Sequence, residues 1–389
     1  MKKPQWMNRE VLLISFSAFS ADLGYQTVIA LFPIFLVLTL RASPSTYGLA
    51  TALAFGVGSV FGYLGGVLGD KFGYKKISIL GNLFVPLLSL AGLAVSPVFA
   101  IVLFASGWWA RNFRSPPRRS MLVSASSAKN RSRVFGFLHA LDIGGGMLSI
   151  VILIFLLAGG MAYRTAILLT SIPILFSTVL LLFTKEAGSV HKAGSMGRNS
   201  RIGENKTSRR AYFGILAATL LYGFSYYSLG FPILTIAERS SSLVGIGSYA
   251  VYLGVSAVAG YYIGTKKLNR IKALGTVGYM LSGIGTLGLG FAYLLGQGAY
   301  VFYIMVALIG LSLGAIETLE PTIMSFIKKY GNVGGGMGAL TASRSLGVFA
   351  ANIIMGFLYI VNPFYSYAYA GIVSVAAGFI IMHYGKGFG

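Results

Sequence analysis

Twelve runs of mostly apolar residues follow one another along this chain, and each is long enough to cross a hydrocarbon core of about 30 Å as a helix. They lie near residues 11–40, 46–69, 77–95, 98–114, 134–157, 165–184, 211–237, 243–264, 273–296, 300–327, 337–360 and 367–384. In lipid every backbone N–H and C=O must find a partner within the chain, so runs of this length can only be helices. The reading is an all-α polytopic membrane protein, embedded in a lipid bilayer.

Composition agrees. The chain of 389 residues is 56% hydrophobic and 10% charged, with a mean hydropathy of +0.76. A soluble domain carries about 25% charged residues. The 52 glycines suit helices that pack without a hydrophobic drive between them. The absence of cysteine excludes disulfides, thiolate metal sites and a cysteine nucleophile. Three histidines and nine acids leave little for a metal cage, a cofactor or a hydrolase. A membrane-embedded transferase would need acids or histidines clustered at one membrane face. Here they stand alone or beside bases, so no enzyme is expected.

The formal charge of +22 raises nucleic acid as a partner. That reading fails, because the basic residues fall in short clusters between apolar runs. Their use is to report orientation. On connections from an odd to an even helix the basic residues are Arg41, Arg164 and Arg239. The others lie in the termini, in the even-to-odd loops or at the helix ends beside them. Both termini are therefore expected on the cytoplasmic side of the cell membrane. The start, Lys2-Lys3 followed by an apolar stretch and Ala18-Phe-Ser-Ala21, mimics a secretory signal. Hydrophobic sequence resumes directly after Asp22, so it reads as an uncleaved first helix.

Residues 185–210 change character. They are rich in Gly, Ser, Lys and Arg and read as a flexible cytoplasmic linker between six-helix bundles at 1–184 and 211–389. Sliding one half over the other aligns landmarks. Gly24 meets Gly223, Phe32-Pro33-Ile34 meets Phe231-Pro232-Ile233, and Gly65 meets Gly264. Asp70-Lys71 meets Asn269-Arg270 in the loop Lys266–Lys272. In helices 5 and 11, Gly136, Ala140 and Gly145 meet Gly338, Ala342 and Gly347. Two halves related by a parallel repeat is an architecture in which substrate binds between them.

Between helices 2 and 3 runs Gly66-Val-Leu-Gly-Asp70-Lys71-Phe-Gly73-Tyr74-Lys75-Lys76. Asp70 and the lysines force the chain to surface here. The spacing G-x-x-x-D-K-x-G-x-K-K closely resembles the signature loop of the major facilitator superfamily of secondary transporters. Tyr74 stands where that family usually has a basic residue. The resemblance implies twelve helices in two pseudo-symmetric halves that alternate access to a central site. It makes Gly66, Asp70, Lys71, Gly73, Lys75 and Lys76 a conformational-switch loop. It also implies that Asp70 pairs with Arg111 or Arg114 and faces the N-terminus of helix 11. The second loop keeps its charge but lacks the acid.

An ionisable residue inside a span is a functional candidate, since it costs at least ~2.5–3.5 kcal/mol to place there. At 1.5 Å per residue, Asp22 lies roughly 20 Å along helix 1 from Arg9, near mid-depth. It reads either as a proton or cation site or as a structural hydrogen bond to a neighbouring helix. Gln26 shares its face one turn on. Arg111 and Arg114 on helix 4 with Asp142 on helix 5 mirror Glu317 and Glu320 on helix 10 with Arg344 on helix 11, signs inverted. These are either ion pairs that make insertion tolerable or a cytoplasmic gate. His139 lies one turn before Asp142 and joins it as a proton carrier or serves helix packing. Trp108 and Trp109 on helix 4 and Tyr222, Phe224, Tyr226 and Tyr227 on helix 7 either pack or line a cavity. In the family this chain resembles, helices 1, 4, 7 and 10 line it, which makes Trp108, Tyr222 and Tyr226 substrate-cavity candidates.

The stretch Arg114-Ser-Pro-Pro-Arg118-Arg119, with Arg131-Ser-Arg-Val-Phe-Gly136 and Asp142-Ile-Gly-Gly, resembles bacterial and archaeal members of the superfamily, many efflux-like. The Gly-Pro pair usual on helix 5 of its drug–proton antiporters is absent from Gly144-Gly-Gly-Met147. The expectation is a monomeric, proton-coupled exporter of a small organic or amphipathic solute. The alternatives are uptake of a small metabolite and a non-transporting membrane sensor.

Overall fold

The computed structural model describes residues 6–127, 130–185, 206–226, 229–265, 268–327 and 333–386. Residues 186–205 of the expected linker, Lys266 and Lys267 of the second basic loop, and Tyr227 lie outside the described residues.

Each apolar run is helical. The helices are α1 Arg9–Thr39, α2 Pro44–Phe72, α3 Tyr74–Leu93, α4 Pro97–Ser124, α5 Arg131–Ala158 and α6 Tyr163–Leu182. They continue with α7 in two pieces, Lys206–Gly223 and Gly230–Arg239, then α8 Ser242–Thr265, α9 Arg270–Leu294, α10 Ala299–Ile327, α11 Val333–Val361 and α12 Pro363–Tyr384. Ten are long and apolar enough to cross a membrane by length and composition. The other two are α4, which carries Arg111, Arg114, Arg118 and Arg119, and the interrupted α7.

Local chemistry sets the starts. The side chains of Asn8, Ser43, Ser96 and Asn362 accept bonds from backbone N–H groups of the first turns of α1, α2, α4 and α12. Proline follows three of these caps, where its missing N–H costs nothing. The Asn362-Pro363 pair therefore starts α12 ahead of its apolar run. Arg164 caps the other end of α3, donating to the carbonyls of Gly92 and Ala94 at 3.1 and 2.6 Å.

Two expectations fail. The fourth run does not end at residue 114: α4 continues through Ser115-Pro-Pro-Arg-Arg119. Pro116 and Pro117 free the carbonyls of Asn112 and Phe113 one turn earlier. Glycines of α2 lie against that backbone. A Cβ on Gly62 would sit 3.7 Å from the Asn112 oxygen, and one on Gly65 would land on the Phe113 carbonyl. Further along, a Cβ on Gly69 would sit 3.0 Å from Pro117. At the proline turn the small glycine face of α2 lets the two helices pack backbone to backbone. The second failure is α7, which is not continuous. It stops at Gly223 and resumes at Gly230 after Leu229, whose φ of 58° is left-handed for a residue with a side chain.

The chain divides into two compact units, Met1–Ala42 with Leu53–Ser195 and Ser43–Ala52 with Met196–Gly389. The division falls at the π-helical turn Ala52–Gly56 of α2. In the first unit α1 packs on α5 and α6, and α4 on α2 and α3. In the second, α8 packs on α10, α12 on α9, and α7 on α11 and α12. There the first turns of α2 lie on α11, with Thr51 donating to the Asn352 side chain at 3.0 Å. The repeat survives as a shared crossing. Gly145 of α5 sits on the Phe19 carbonyl of α1, and Gly347 of α11 sits on the Leu220 carbonyl of α7.

Gly65→Ala is expected to push α2 off α4 at a backbone contact that cannot give way. The overpacking should cost about 1–3 kcal/mol. A thermal unfolding series should show Gly65→Ala melting well below wild type and Gly144→Ala, where a Cβ meets nothing within 4 Å, melting close to it.

Candidate functional site

The first unit encloses a polar interior built from α1, α3, α4 and α5. Asp22 is 4% exposed. One turn on, Tyr25 donates its hydroxyl to Asp22 Oδ1. Arg111 donates to the Tyr25 oxygen at 3.3 Å and to Asn112 Oδ1 at 3.1 Å. Its guanidinium lies within cation–π range of both the Trp108 ring, at 4.9 Å, and the Tyr25 ring, at 5.3 Å. Trp108 meets Tyr25 edge-on at 5.9 Å and Phe55 at 4.8 Å. Oδ2 of Asp22 has no hydrogen-bond partner. Asp142, Arg111 and Arg118 all lie within electrostatic reach of Asp22. Gln26 sits beside α5, where a Cβ on Gly146 would be 3.2 Å from its side chain.

The expected ion pair between Arg111 or Arg114 and Asp142 does not form. Among the described residues the pairs are Arg9–Glu10, Arg344–Glu317 and Arg344–Glu320. Oδ1 of Asp142 is buried without a partner. Arg111 is held by the aromatic rings of α1 and α4. Arg114, fully buried, donates to Asn82 of α3, whose amide donates to Thr178 of α6 at 2.7 Å and Ser177 at 3.2 Å. Both arginines are thus committed to neutral neighbours. His139 is exposed on α5.

The second unit realises its half of the symmetry. Arg344 of α11 forks between Glu317 and Glu320 of α10. Glu320 is 2% exposed and also accepts from Tyr279 of α9 at 2.5 Å. Tyr279 lies 3.3 Å from the Thr219 hydroxyl of α7. Beside this chain, the break in α7 opens a cavity of about 10 Å³ between Tyr222, Ser225, Tyr226, Tyr252 and Ser282. That is room for about one water molecule. Unwound backbone inside a membrane is tolerated where it is buried or lines a cavity.

The loop between α2 and α3 is tied down by its own residues. Gly73 turns the chain with φ 99°. Lys75 donates to the carbonyls of Leu182 and Thr184 at 2.9 and 2.5 Å, closing the end of α6. Lys71 sits over the Phe72 ring. Asp70 does not pair with Arg111 or Arg114. It accepts from the Tyr74 hydroxyl at 2.6 Å. Gly69 lies level with Pro117, which places Arg114 and Arg111 about 4.5 and 9 Å further along α4. Tyr74, the departure from the motif, is the residue that satisfies its acid.

Tyr25, Asn82, Arg118, Tyr252 and Tyr279 were not singled out in the sequence. Tyr25 had a signal, since it shares a face with Asp22 one turn away. Asn82 and Tyr279 reach their partners from other helices, and no spacing reports that. Among the described residues no group of His, Asp and Glu is placed to hold a metal ion.

A family model described as the Major Facilitator Superfamily matches residues 14–351. The chain belongs to that superfamily and is a multi-pass membrane transporter, not an enzyme. An MFS-type transporter from Methanocaldococcus jannaschii is 23% identical over 387 residues, covering 97% of this chain and 95% of that protein. Solved structures share the fold. A D-xylose–proton symporter superposes with TM-score 0.76 at 15% identity, covering 95% of this chain and 96% of the symporter. A POT family transporter in complex with a thioalcohol-conjugated peptide does so with TM-score 0.77 at 12% identity, covering 96% of both chains.

Arg344→Ala would leave Glu320 buried without its counter-charge. Breaking such a pair costs roughly 3–5 kcal/mol. The expected result is poor expression or a strongly lowered melting temperature, largely restored when Glu320→Gln is added. No restoration would show that the pair does not set the stability.

Proposed function

We propose that this transporter couples solute movement to protons through Asp22 and works by alternating access, exporting a small organic or amphipathic solute across the cytoplasmic membrane, with both termini on the cytoplasmic side. One observation carries the reading. Asp22 is a deeply buried carboxyl with one oxygen engaged by Tyr25 and the other free of any donor. A proton can settle on Oδ2 without breaking a hydrogen bond. Glu320, by contrast, has Tyr279 on one oxygen and Arg344 on the other, so protonation there would dismantle a pair.

Arg111 supplies the answering group. It is tied to Asp22 through the Tyr25 hydroxyl, so a change of charge on the acid alters what holds the arginine. Asp142, with its own free oxygen, is the second proton site, and His139 one turn away would pass protons to it. Gln26 and Trp108 on α1 and α4, and Tyr222 and Tyr226 at the break in α7, are the residues we assign to the solute. Rings with a polar edge suit an amphipathic guest. The fork of Arg344 on Glu317 and Glu320 serves as a gate that holds one state. The loop residues Gly66, Asp70, Lys71, Gly73, Lys75 and Lys76 set the balance between states, and the Asp70–Tyr74 bond is part of that balance.

In proteoliposomes with an imposed proton gradient and a panel of candidate solutes, wild type is expected to show gradient-driven flux. Asp22→Asn should lose it at least tenfold while still binding the solute. Full gradient-driven flux in Asp22→Asn would remove the acid from the coupling. In the same assay Asp70→Asn should slow transport while expression and solute affinity stay near wild type. Loss of binding instead would show that Asp70 is no conformational switch.

A further inference from the structure

Charge and hydrogen bonding in the interior of the first unit do not close. Arg111, Arg114 and Arg118 face one side of α4, and Asp22 and Asp142 are the acids within reach of them. Three permanent cations meet two carboxyls. Among the described residues, every buried side-chain atom without a hydrogen bond except the Tyr369 hydroxyl belongs to this unit. The unpaired atoms include Nε and Nη2 of Arg114, Nε and Nη1 of Arg118, and the hydroxyls of Ser15 and Ser78.

Arg114 is 0% exposed and Arg118 5%. The hydrogen bond that Arg114 makes goes to the neutral amide of Asn82. An arginine cannot shed its proton to escape burial, as a lysine can. Its Cβ lies directly against α3, where a Cβ on Gly81 would be 2.9 Å away, and its head is held by Asn82. A buried, fixed and uncompensated guanidinium is strongly destabilising unless a counter-charge reaches it.

We infer that Arg114 and Arg118 together bind a small inorganic anion, a halide or an oxyanion, inside the first unit. Four buried guanidinium nitrogens with no protein acceptor, two on each arginine, form the donor set, and guanidinium groups match compact anions well. The site lies further along α4, toward its proline turn and C-terminal end, than the Asp22–Tyr25–Arg111 network, and α4 supplies both of its cations. The second unit has acids at the repeat positions of Arg111 and Arg114, namely Glu317 and Glu320, and its charges are joined by Arg344. The anion would offset the surplus cation of the first unit, where three guanidiniums meet two carboxyls, whereas in the second one guanidinium serves two carboxyls.

The test uses purified full-length protein with no transported solute, so it does not depend on proton coupling. Thermal unfolding is followed while chloride, bromide or phosphate replaces gluconate at constant ionic strength. A saturable rise in melting temperature with at least one small anion is expected. Arg114→Gln and Arg118→Gln should each raise the midpoint concentration at least tenfold, and Arg119→Gln, on the exposed side of α4, should leave it unchanged. A wild-type melting temperature that is the same in every anion would overturn the inference, whether or not the variants fold. So would a folded Arg114→Gln that keeps the wild-type midpoint.

Discussion

The hydroxyl of Tyr25 joins Asp22 to Arg111, and the polar interior of the first unit is arranged around that junction. The acid and the base lie on different helices, and a ring from α1 fills the gap between them. Trp108 adds a second ring within cation–π range of the guanidinium. In a medium where an isolated charge is expensive, this arrangement ties Arg111 to Asp22 only through Tyr25 and leaves Asp22 half-engaged. The free oxygen of Asp22 is a consequence of spending one acid and one tyrosine on one arginine.

The two units carry the same sequence repeat but resolve their charges differently. In the second, Arg344 is shared by two glutamates, one of them backed by Tyr279, so both carboxyls are engaged. In the first, the aromatic residues of α1 and α4 take the arginine, and Asp142 keeps an unpaired oxygen. One unit is therefore a locked pair and the other an open set of charges. The glycine face of α2 permits this. Because Gly62 and Gly65 lie directly on the backbone of α4 at its proline turn, α4 stays helical through Pro116 and Pro117. Arg111, Arg114 and Arg118 then keep one face.

Much of this was legible in the sequence. Run length and the demand for satisfied backbone in lipid fixed the number of helices, and the basic loop pointed to the superfamily. The Glu317–Glu320–Arg344 cluster was readable as opposite charges at matched positions of two neighbouring spans. The inverted pair in the first half did not form, because spacing reports which residues share a face and not which neighbour arrives first. Tyr25 and Asn82 arrived first. The proline turn misled for a similar reason. Proline predicts a break when α4 is read alone, and the compensating glycines sit on another helix. The break in α7 carried only a faint signal, a glycine at 223, which a glycine-rich chain offers at many places.

The central claim is that the exchangeable proton sits on Asp22. Infrared difference spectra of the membrane-reconstituted protein, recorded as pH is stepped between acid and alkaline conditions, read the carboxyl stretch of a protonating acid directly. The account predicts a buried-carboxyl band in wild type that loses most of its intensity in Asp22→Asn, leaving at most the Asp142 contribution, and persists in Glu320→Gln. A band that persists in Asp22→Asn and vanishes in Glu320→Gln would contradict it.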